Sequence, residues 1–203
     1  MKILFVCTGN TCRSPMAEAL LKKRMPDAQV QSAGIFAGEN QRANQKAIDA
    51  VKEYNITMDH LSQPVTDKLL HWADIVLTMT TQHKQSLILE YPNFQNKYFT
   101  LKEYVSESDK KVWNEVKKAY ADYEDKRSLF IQENQHQLDN VLLDQKLTEH
   151  LKEDIEHIKK LEANLINYDI SDPFGGELRI YQKTLAELDK YLDLLQKKLE
   201  KQS

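Results

Sequence analysis

Cys7-Thr8-Gly9-Asn10-Thr11-Cys12-Arg13-Ser14-Pro15 brings together the groups that phosphate chemistry needs. A cysteine thiolate is a strong nucleophile. The guanidinium of Arg13, five residues beyond Cys7, is a planar fork that grips two phosphoryl oxygens at once, which a lysine ammonium cannot do. Gly9 is expected to let the backbone turn and approach a ligand closely. A loop that runs into a helix N-terminus aims several N–H groups inward, and the macrodipole adds positive potential. That field favours an ionised Cys7 sulfur. The Ser14 hydroxyl can donate to the sulfur or speed loss of a phosphoryl group, and the Asn10 side chain can hold the loop in shape. A lone cysteine at a strand end is ordinarily a small buried hydrophobe. Here the spacing, the preceding strand, the internal glycine and the Ser-Pro helix start all agree on a working site. A P-loop nucleotidase is excluded, since no G-x-x-x-x-G-K-[ST] occurs. A zinc site is disfavoured, because no second cysteine pair exists and no histidine lies near the loop in sequence.

The elements that must position this loop are readable around it. Lys2–Val6 is a short apolar run, read as a buried parallel strand. Ser14 and Pro15 read as the N-cap and first turn of a helix. Gln29–Ser32 is a second strand, closed by Ala33-Gly34. A helix is expected from Arg42 to Tyr54, with Ala43, Ala47, Ile48 and Val51 on one face. Thr66–Trp72 reads as a short helix, Asp74–Met79 as a third strand, Thr81–Glu90 as a helix stopped by Pro92, and Lys97–Leu101 as a fourth strand. The last helix runs from Glu177 to about Lys198, with a stripe of Ile180, Leu185, Leu188, Leu192 and Leu195. Strands alternating with helices imply an α/β fold with a parallel sheet and right-handed crossovers.

Residues 106–168 differ, for neither glycine nor proline occurs between Pro92 and Pro173. Val112, Val116, Ala119, Tyr120 and Tyr123 repeat at helical spacing, as do Leu147, Leu151, Ile155, Ile158, Leu161 and Leu165. A pair of long antiparallel helices is expected, with a third short one near 138–145, forming an arm long enough to project. Its charges read as a solvated face. His136, His150 and His157 lie in it; His150, Asp154 and His157 fall on one helical face, where exposed charge is the default reading and a metal site the exception.

The chain has 203 residues, 41% hydrophobic and 29% charged, with a formal charge of -3. It can bury a core, and it lacks the basic excess of a nucleic-acid coat or a polybasic membrane binder. No apolar run approaches the roughly 20 residues that span a bilayer, and MKILFV is too short for a signal peptide. A cytoplasmic location is expected, with no nucleic-acid or membrane partner. The two cysteines cannot make a structural disulfide framework. Cys7 and Cys12 share one loop, so two readings stay open: a switch that oxidises to an intraloop disulfide, or a Cys12 thiol packed behind the loop.

C-x5-R-S on a first βα turn, in CTGNTCRSPMAEAL, resembles the low-molecular-weight protein tyrosine phosphatase family. Asp172-Pro173-Phe174, followed by Gly175-Gly176, is a second marker, and Ser32-Ala33-Gly34 and the strand 74–79 fit it too. The resemblance covers about 1–105 and 169–203, which it marks as the phosphatase domain, with 106–168 as an inserted helical hairpin just before Asp172. It implies a four-stranded parallel sheet flanked by helices, and no metal or organic cofactor. Cys7 would attack phosphorus to form a phosphocysteine. Asp172 would protonate the leaving group and later take a proton from the hydrolytic water. Arg13 and the backbone amides of Thr8, Gly9, Asn10, Thr11, Cys12 and Ser14 would hold the phosphoryl oxygens. Partial burial, which favours a neutral carboxyl, is expected at Asp172.

Many members carry a bulkier aliphatic residue where this chain has Thr11. Threonine there, with Asp-Pro-Phe-Gly-Gly, resembles the bacterial protein arginine phosphatase branch. Asp172 could pair with a substrate guanidinium, and the Phe174 ring could stack on it. Phe36-Ala37-Gly38 and His71-Trp72 are candidates for the pocket rim. Phosphorylated proteins are the implied substrates, and the arm is expected to bind a protein partner or self-associate. The rivals are a tyrosine phosphatase, an arsenate reductase (which needs further cysteines that this chain lacks) and a non-catalytic phosphate-binding scaffold.

Overall fold

The computed structural model describes residues 1–106, 109–135, 139–163 and 167–201. They cluster into two compact units, one of Met1–Val105 with Tyr168–Ser203, the other of Ser106–Asn167. The first unit holds a four-stranded sheet of β1 (Lys2–Cys7), β2 (Gln29–Gly34), β3 (Ile75–Thr78) and β4 (Tyr98–Thr100), in the order β2-β1-β3-β4. Every pairing is parallel, with Cys7 opposite Gly34 and Val6 opposite Thr78. Strands buried on both faces need near-continuous apolar sequence, and Ile3, Leu4, Phe5 and Val6 are fully buried.

Helices cover both faces. They are α1 (Arg13–Arg24), α2 (Gln45–Lys52), α3 (Asp67–Trp72), α4 (Thr81–Glu90) and α5 (Leu101–Val105), with a 3₁₀ turn at Pro92–Lys97. The second unit contributes α6 (Asp109–Asn134), α7 (Asn140–His150) and α8 (Lys152–Ala163); α9 (Leu178–Glu200) closes the first. One core cluster joins β1 to α1, α2 and α9, and the other joins the opposite face to α3, α4 and the 3₁₀ turn.

Several boundaries differ from the expected ones for physical reasons. The helix expected from Arg42 starts only at Gln45. Asn44 caps it by accepting from Lys46 N at 2.9 Å, while its own N–H is spent on Thr11 O at 2.8 Å. Helix α1 begins at Arg13, before Ser14, and its N-terminus has no side-chain cap. The Ser14 hydroxyl faces Cys7 instead. On α9, Ile180 is exposed; Tyr181 takes its place in the buried stripe, which continues to Leu199.

Among the described residues the second unit has three helices, one long and two short, where a long pair with a third short one was expected. Helices α6 and α8 run antiparallel, since Tyr120 pairs with Glu162 and Lys126 with Asp154. Val116, Leu151 and Ile158 are buried. The expected continuous stripe from Leu147 breaks at Leu151, which ends α7; Leu165 and His136 lie outside the described residues. The break separates His150 from Asp154 and His157. His150 stacks on Phe130 at 4.8 Å and Asp154 binds Lys126 Nζ at 2.5 Å, and no metal-binding group of three or more His, Cys, Asp or Glu exists among the described residues. Among those residues no helix is long and apolar enough to cross a membrane.

Candidate active site

Strand β1 is central, and the chain leaves it for β2 on one side and returns to β3 on the other. Cys7 therefore emerges at the carboxyl end of the strand where the order reverses, the place where open parallel sheets bind ligands. Two polar groups face the Cys7 sulfur: Asn10 N–H donates to it at 3.3 Å, and the Ser14 hydroxyl, able to donate to a thiolate, lies at 3.0 Å. Both stabilise negative charge on sulfur.

Asn10 shapes the loop. Its φ of 54 lies in the left-handed region, and its side chain is fully buried. Nδ2 donates to Ser14 Oγ at 2.9 Å and Ser32 Oγ at 2.8 Å; Oδ1 accepts from Gln63 N at 3.0 Å. His60 Nε2 faces Asn10 O and Oδ1, both at 3.1 Å; since both are acceptors, Nε2 carries the proton. Ser32 Oγ passes on to Glu18 at 2.6 Å. Burial holds His60 below its ordinary value against the opposing charge of Glu18. The turn expected of Gly9 thus belongs to Asn10. A Cβ on Gly9 would meet nothing nearer than 3.8 Å, whereas one on Gly34 would stand 2.6 Å from Thr8 O. Gly34 is the residue whose smallness lets the loop approach β2.

The loop borders a pocket of about 320 Å³, at the small end of ligand cavities. Of the residues expected at the site, Cys7, Thr8, Gly9, Thr11, Cys12, Arg13, Asp172 and Phe174 line it. Asn10 and Ser14 stand behind it, acting on the sulfur. Gln41 lines it too and was not foreseen. The Arg13 guanidinium, only 6% exposed, donates from Nη2 to Asp172 Oδ2 at 2.7 Å and from Nη1 to Ile170 O at 3.4 Å. The Asp172 side chain is 53% exposed, so the partial burial expected there is slight; a close cationic partner stands in its place. Asp172 Oδ1 accepts from Phe174 N at 3.1 Å, and the Phe174 ring is exposed at the mouth.

Two further neighbours, besides Gln41, His60 and Gln63, were not foreseen. His83 on α4 meets Thr8 Oγ1 through Nε2 at 2.8 Å, and its buried Nδ1 has no partner among the described residues. Burial and then the nearby Arg13 push His83 down to about 4, so it is neutral. Tyr181 of α9 lies 3.6 Å from Cys12 Sγ. Burial raises the Cys12 thiol above its ordinary value, and both cysteines are free thiols. No local signal marks either neighbour, since each reaches the loop from a distant segment. Of the rim candidates, Phe36 bonds Thr8 O through its N–H at 2.9 Å and is exposed. His71 packs edge-on against Phe94 on the other sheet face, and neither it nor Trp72 lines the pocket.

This arrangement can hold a tetrahedral anion over an activated sulfur, with a carboxyl group beside the departing atom. Comparison with known proteins agrees with it. Residues 2–154 match the family described as low molecular weight phosphotyrosine protein phosphatase. A protein-arginine-phosphatase of Bacillus subtilis is 35% identical over 205 residues, covering 99% of this chain and 98% of that one. The low molecular weight protein-tyrosine-phosphatase PtpB of Staphylococcus aureus is 51% identical over 108 residues, covering 53% of this chain and 76% of that one. Among solved structures, a YwlE arginine phosphatase mutant with a phosphorylated active-site serine is 34% identical, with a TM-score of 0.68, covering 99% of this chain and 97% of that one. The chain belongs to the low molecular weight phosphotyrosine protein phosphatase family.

Proposed function

We propose that this cysteine-dependent protein phosphatase acts on phosphoarginine in proteins, in the cytoplasm, without metal or organic cofactor. Cys7 Sγ attacks phosphorus. An S–P bond forms as the P–N bond to the guanidine breaks, and the Asp172 carboxyl gives its proton to the departing nitrogen. Water then attacks the phosphocysteine, Asp172 takes the water's proton, and phosphate leaves with the Cys7 thiolate restored. Arg13 and the inward amides from Thr8 to Ser14 carry the phosphoryl charge throughout. Residues 1–105 and 169–203 form the catalytic domain, and 106–168 is an inserted arm. Leu129, Val141 and Leu142 expose apolar surface on α6 and α7, which suits contact with a protein partner or a second copy.

The observation that carries the arginine reading is the small Thr11 lining the same pocket as Asp172. Asp172 already holds a guanidinium, that of Arg13, at 2.7 Å. Once phosphate occupies Arg13, the carboxylate is free to pair with the guanidinium that leaves; a phenol offers no such partner. The likeness along the full chain to a protein-arginine-phosphatase supports this reading. The higher identity over 108 residues to a tyrosine phosphatase keeps phosphotyrosine as the second reading. Turnover of matched phosphoarginine and phosphotyrosine peptides under reducing conditions tests it. A higher kcat/KM for phosphoarginine, abolished by Cys7→Ser, is expected. The opposite ranking makes the protein a tyrosine phosphatase, and no turnover of either makes the loop a phosphate-binding scaffold.

A further inference from the structure

Asp172 is exposed, yet the three residues before it are each held on a different part of the fold. Asp169 Oδ1 accepts from Thr81 N at 2.7 Å and Thr81 Oγ1 at 2.9 Å, at the N-terminus of α4. Ile170 N–H donates to Met79 O at 2.8 Å, beyond the end of β3, and Ile170 O accepts from Arg13. Ser171 donates to Glu187 Oε2 twice, from N at 3.1 Å and from Oγ at 2.7 Å.

Glu187 stands on α9 and is itself held by Lys102 of α5. Lys102 Nζ lies 2.6 Å from Glu187 Oε1 and donates to Asp169 O at 2.7 Å. The Lys102 side chain is only 7% exposed, and its ammonium sits 5.1 Å from the Tyr191 ring centroid. Burial raises the Glu187 carboxyl, but Lys102 and the two Ser171 donors outweigh it and keep Glu187 below its ordinary value. The Glu187 side chain is 25% exposed, so the lysine carries most of the desolvation, and taking that charge out of water is an expensive way to gain stability. What such a pair does supply is direction: it fixes two backbone groups immediately before Asp172.

We propose that Lys102 and Glu187 are positioning residues for the general acid, a clamp that sets the height of Asp172 over the Cys7 pocket. The proposal rests on the reading of Asp172 as the proton donor to the leaving group. Lys102 precedes the residues 106–167 and Asp169 follows them in sequence. The clamp therefore joins the two ends of the catalytic unit where the chain departs and returns, and keeps the acid in register whatever length of chain intervenes. Closing the ends together is also what makes a long insertion tolerable.

The test separates acid placement from stability through the leaving group. Aryl phosphates with good and poor leaving groups are compared by kcat/KM in the wild type, Lys102→Met, Glu187→Gln, Lys102→Arg and Asp172→Asn. A poor leaving group needs the proton; a good one does not. Displacing a catalytic group by about an ångström costs on the order of a hundredfold. Lys102→Met and Glu187→Gln are expected to lose roughly ten- to a hundredfold on the poor leaving group and less than about threefold on the good one. Lys102→Arg should recover most of the loss, and inhibition by inorganic phosphate should be unchanged in the Lys102 and Glu187 variants. Equal losses on both substrates, or none on either, overturn the clamp. If Lys102→Met fails to fold, Glu187→Gln decides alone, as it keeps acceptor and volume while removing the charge. Should Asp172→Asn itself show no leaving-group dependence, the acid reading fails and the clamp has nothing to position. If Asp172→Asn shows it and the clamp variants do not, the clamp alone is rejected.

Discussion

Arg13 Nη2 and Asp172 Oδ2 stand 2.7 Å apart at the pocket, so the group proposed to grip phosphate and the group proposed to transfer the proton are bonded to each other. Their environments are unequal: the guanidinium is 6% exposed and the carboxylate 53%. An incoming phosphoryl group competes with Asp172 for the same fork, and exchange of partners frees the carboxyl for the leaving atom. Asp172→Asn should therefore lower turnover of a phosphoarginine peptide about a hundredfold or more, while inorganic phosphate inhibits as well as before or better. Loss of phosphate inhibition in this variant would show that Asp172 builds the anion site rather than competing for it.

Asn10 is the second point of leverage. Four hydrogen bonds converge on its buried side chain, and its backbone is left-handed. Asn10→Ala leaves Gln63 N–H without its acceptor and takes one bond each from Ser14 Oγ, Ser32 Oγ and His60 Nε2, and a buried polar group left unsatisfied costs about 1–3 kcal/mol. Denaturant unfolding should report a loss of about 2–4 kcal/mol, with turnover reduced as well, because Ser14 loses the group that orients it toward Cys7. A variant as stable as the wild type would mean that water takes over these bonds.

How much of this was legible in sequence follows from how the groups are distributed along the chain. Cys7 to Ser14 is one uninterrupted loop, and the strand before it and the Asp-Pro-Phe-Gly-Gly turn are local signals, so the sheet and the pocket walls were readable. The supports were not. His60, Gln63, Ser32 and His83 meet the loop from segments up to 75 residues away. Ser-Pro reads as a local helix start with Ser14 as cap, but the helix begins one residue earlier and the Ser14 hydroxyl is at the sulfur, as the loop motif also led one to expect. Gly9 was credited with a turn that Asn10 makes, since asparagine also tolerates the left-handed region when its side chain is bonded. In the arm, helical periodicity was visible, but the break at Leu151 has no glycine or proline to announce it.

Thr11 is the sharpest test of substrate choice. Its side chain is part of the pocket wall, while its carbonyl is held by Asn44 N–H at 2.8 Å, so the backbone should survive substitution. Thr11→Ile narrows the pocket and removes the hydroxyl. The ratio of kcat/KM for phosphoarginine over phosphotyrosine peptides should fall by about tenfold or more, in line with the 1–3 kcal/mol that pocket shape confers. An unchanged ratio would reject Thr11 as the determinant.

Cys12 bears on oxidation. Its thiol is engaged by Tyr181 and is held above its ordinary value by burial, which disfavours its own thiolate. A Cys7 sulfenic acid would condense with the Cys12 thiol, forming an S–S bond and releasing water. Peptide mapping after mild peroxide should find a Cys7–Cys12 link, with activity restored by a thiol reductant. Cys12→Ala should instead carry Cys7 on to the sulfinic acid, without recovery. If the wild type shows no such link, Cys12 is a packing residue only.

His83 gives the fold a pH dependence of known sign. Burial, then Arg13, lowers it from its ordinary 6.5 to about 4. The unfolded chain therefore takes up a proton near pH 6.5 and the folded chain only near pH 4. Between those values the unfolded state holds more protons, so stability is complete above about pH 7 and drains away as pH falls toward 4. At pH 5 the full shift would cost about 2 kcal/mol, and partial access to solvent reduces this to about 1 kcal/mol. His83→Gln keeps a polar group near Thr8 Oγ1 and cannot titrate. Urea unfolding at pH 7 and pH 5 should show the wild type losing about 1 kcal/mol more than His83→Gln between the two. His60, lowered in the same direction, is present in both proteins and cancels from the difference. Equal losses in the two proteins would mean that His83 protonates in the folded state as readily as in the unfolded one.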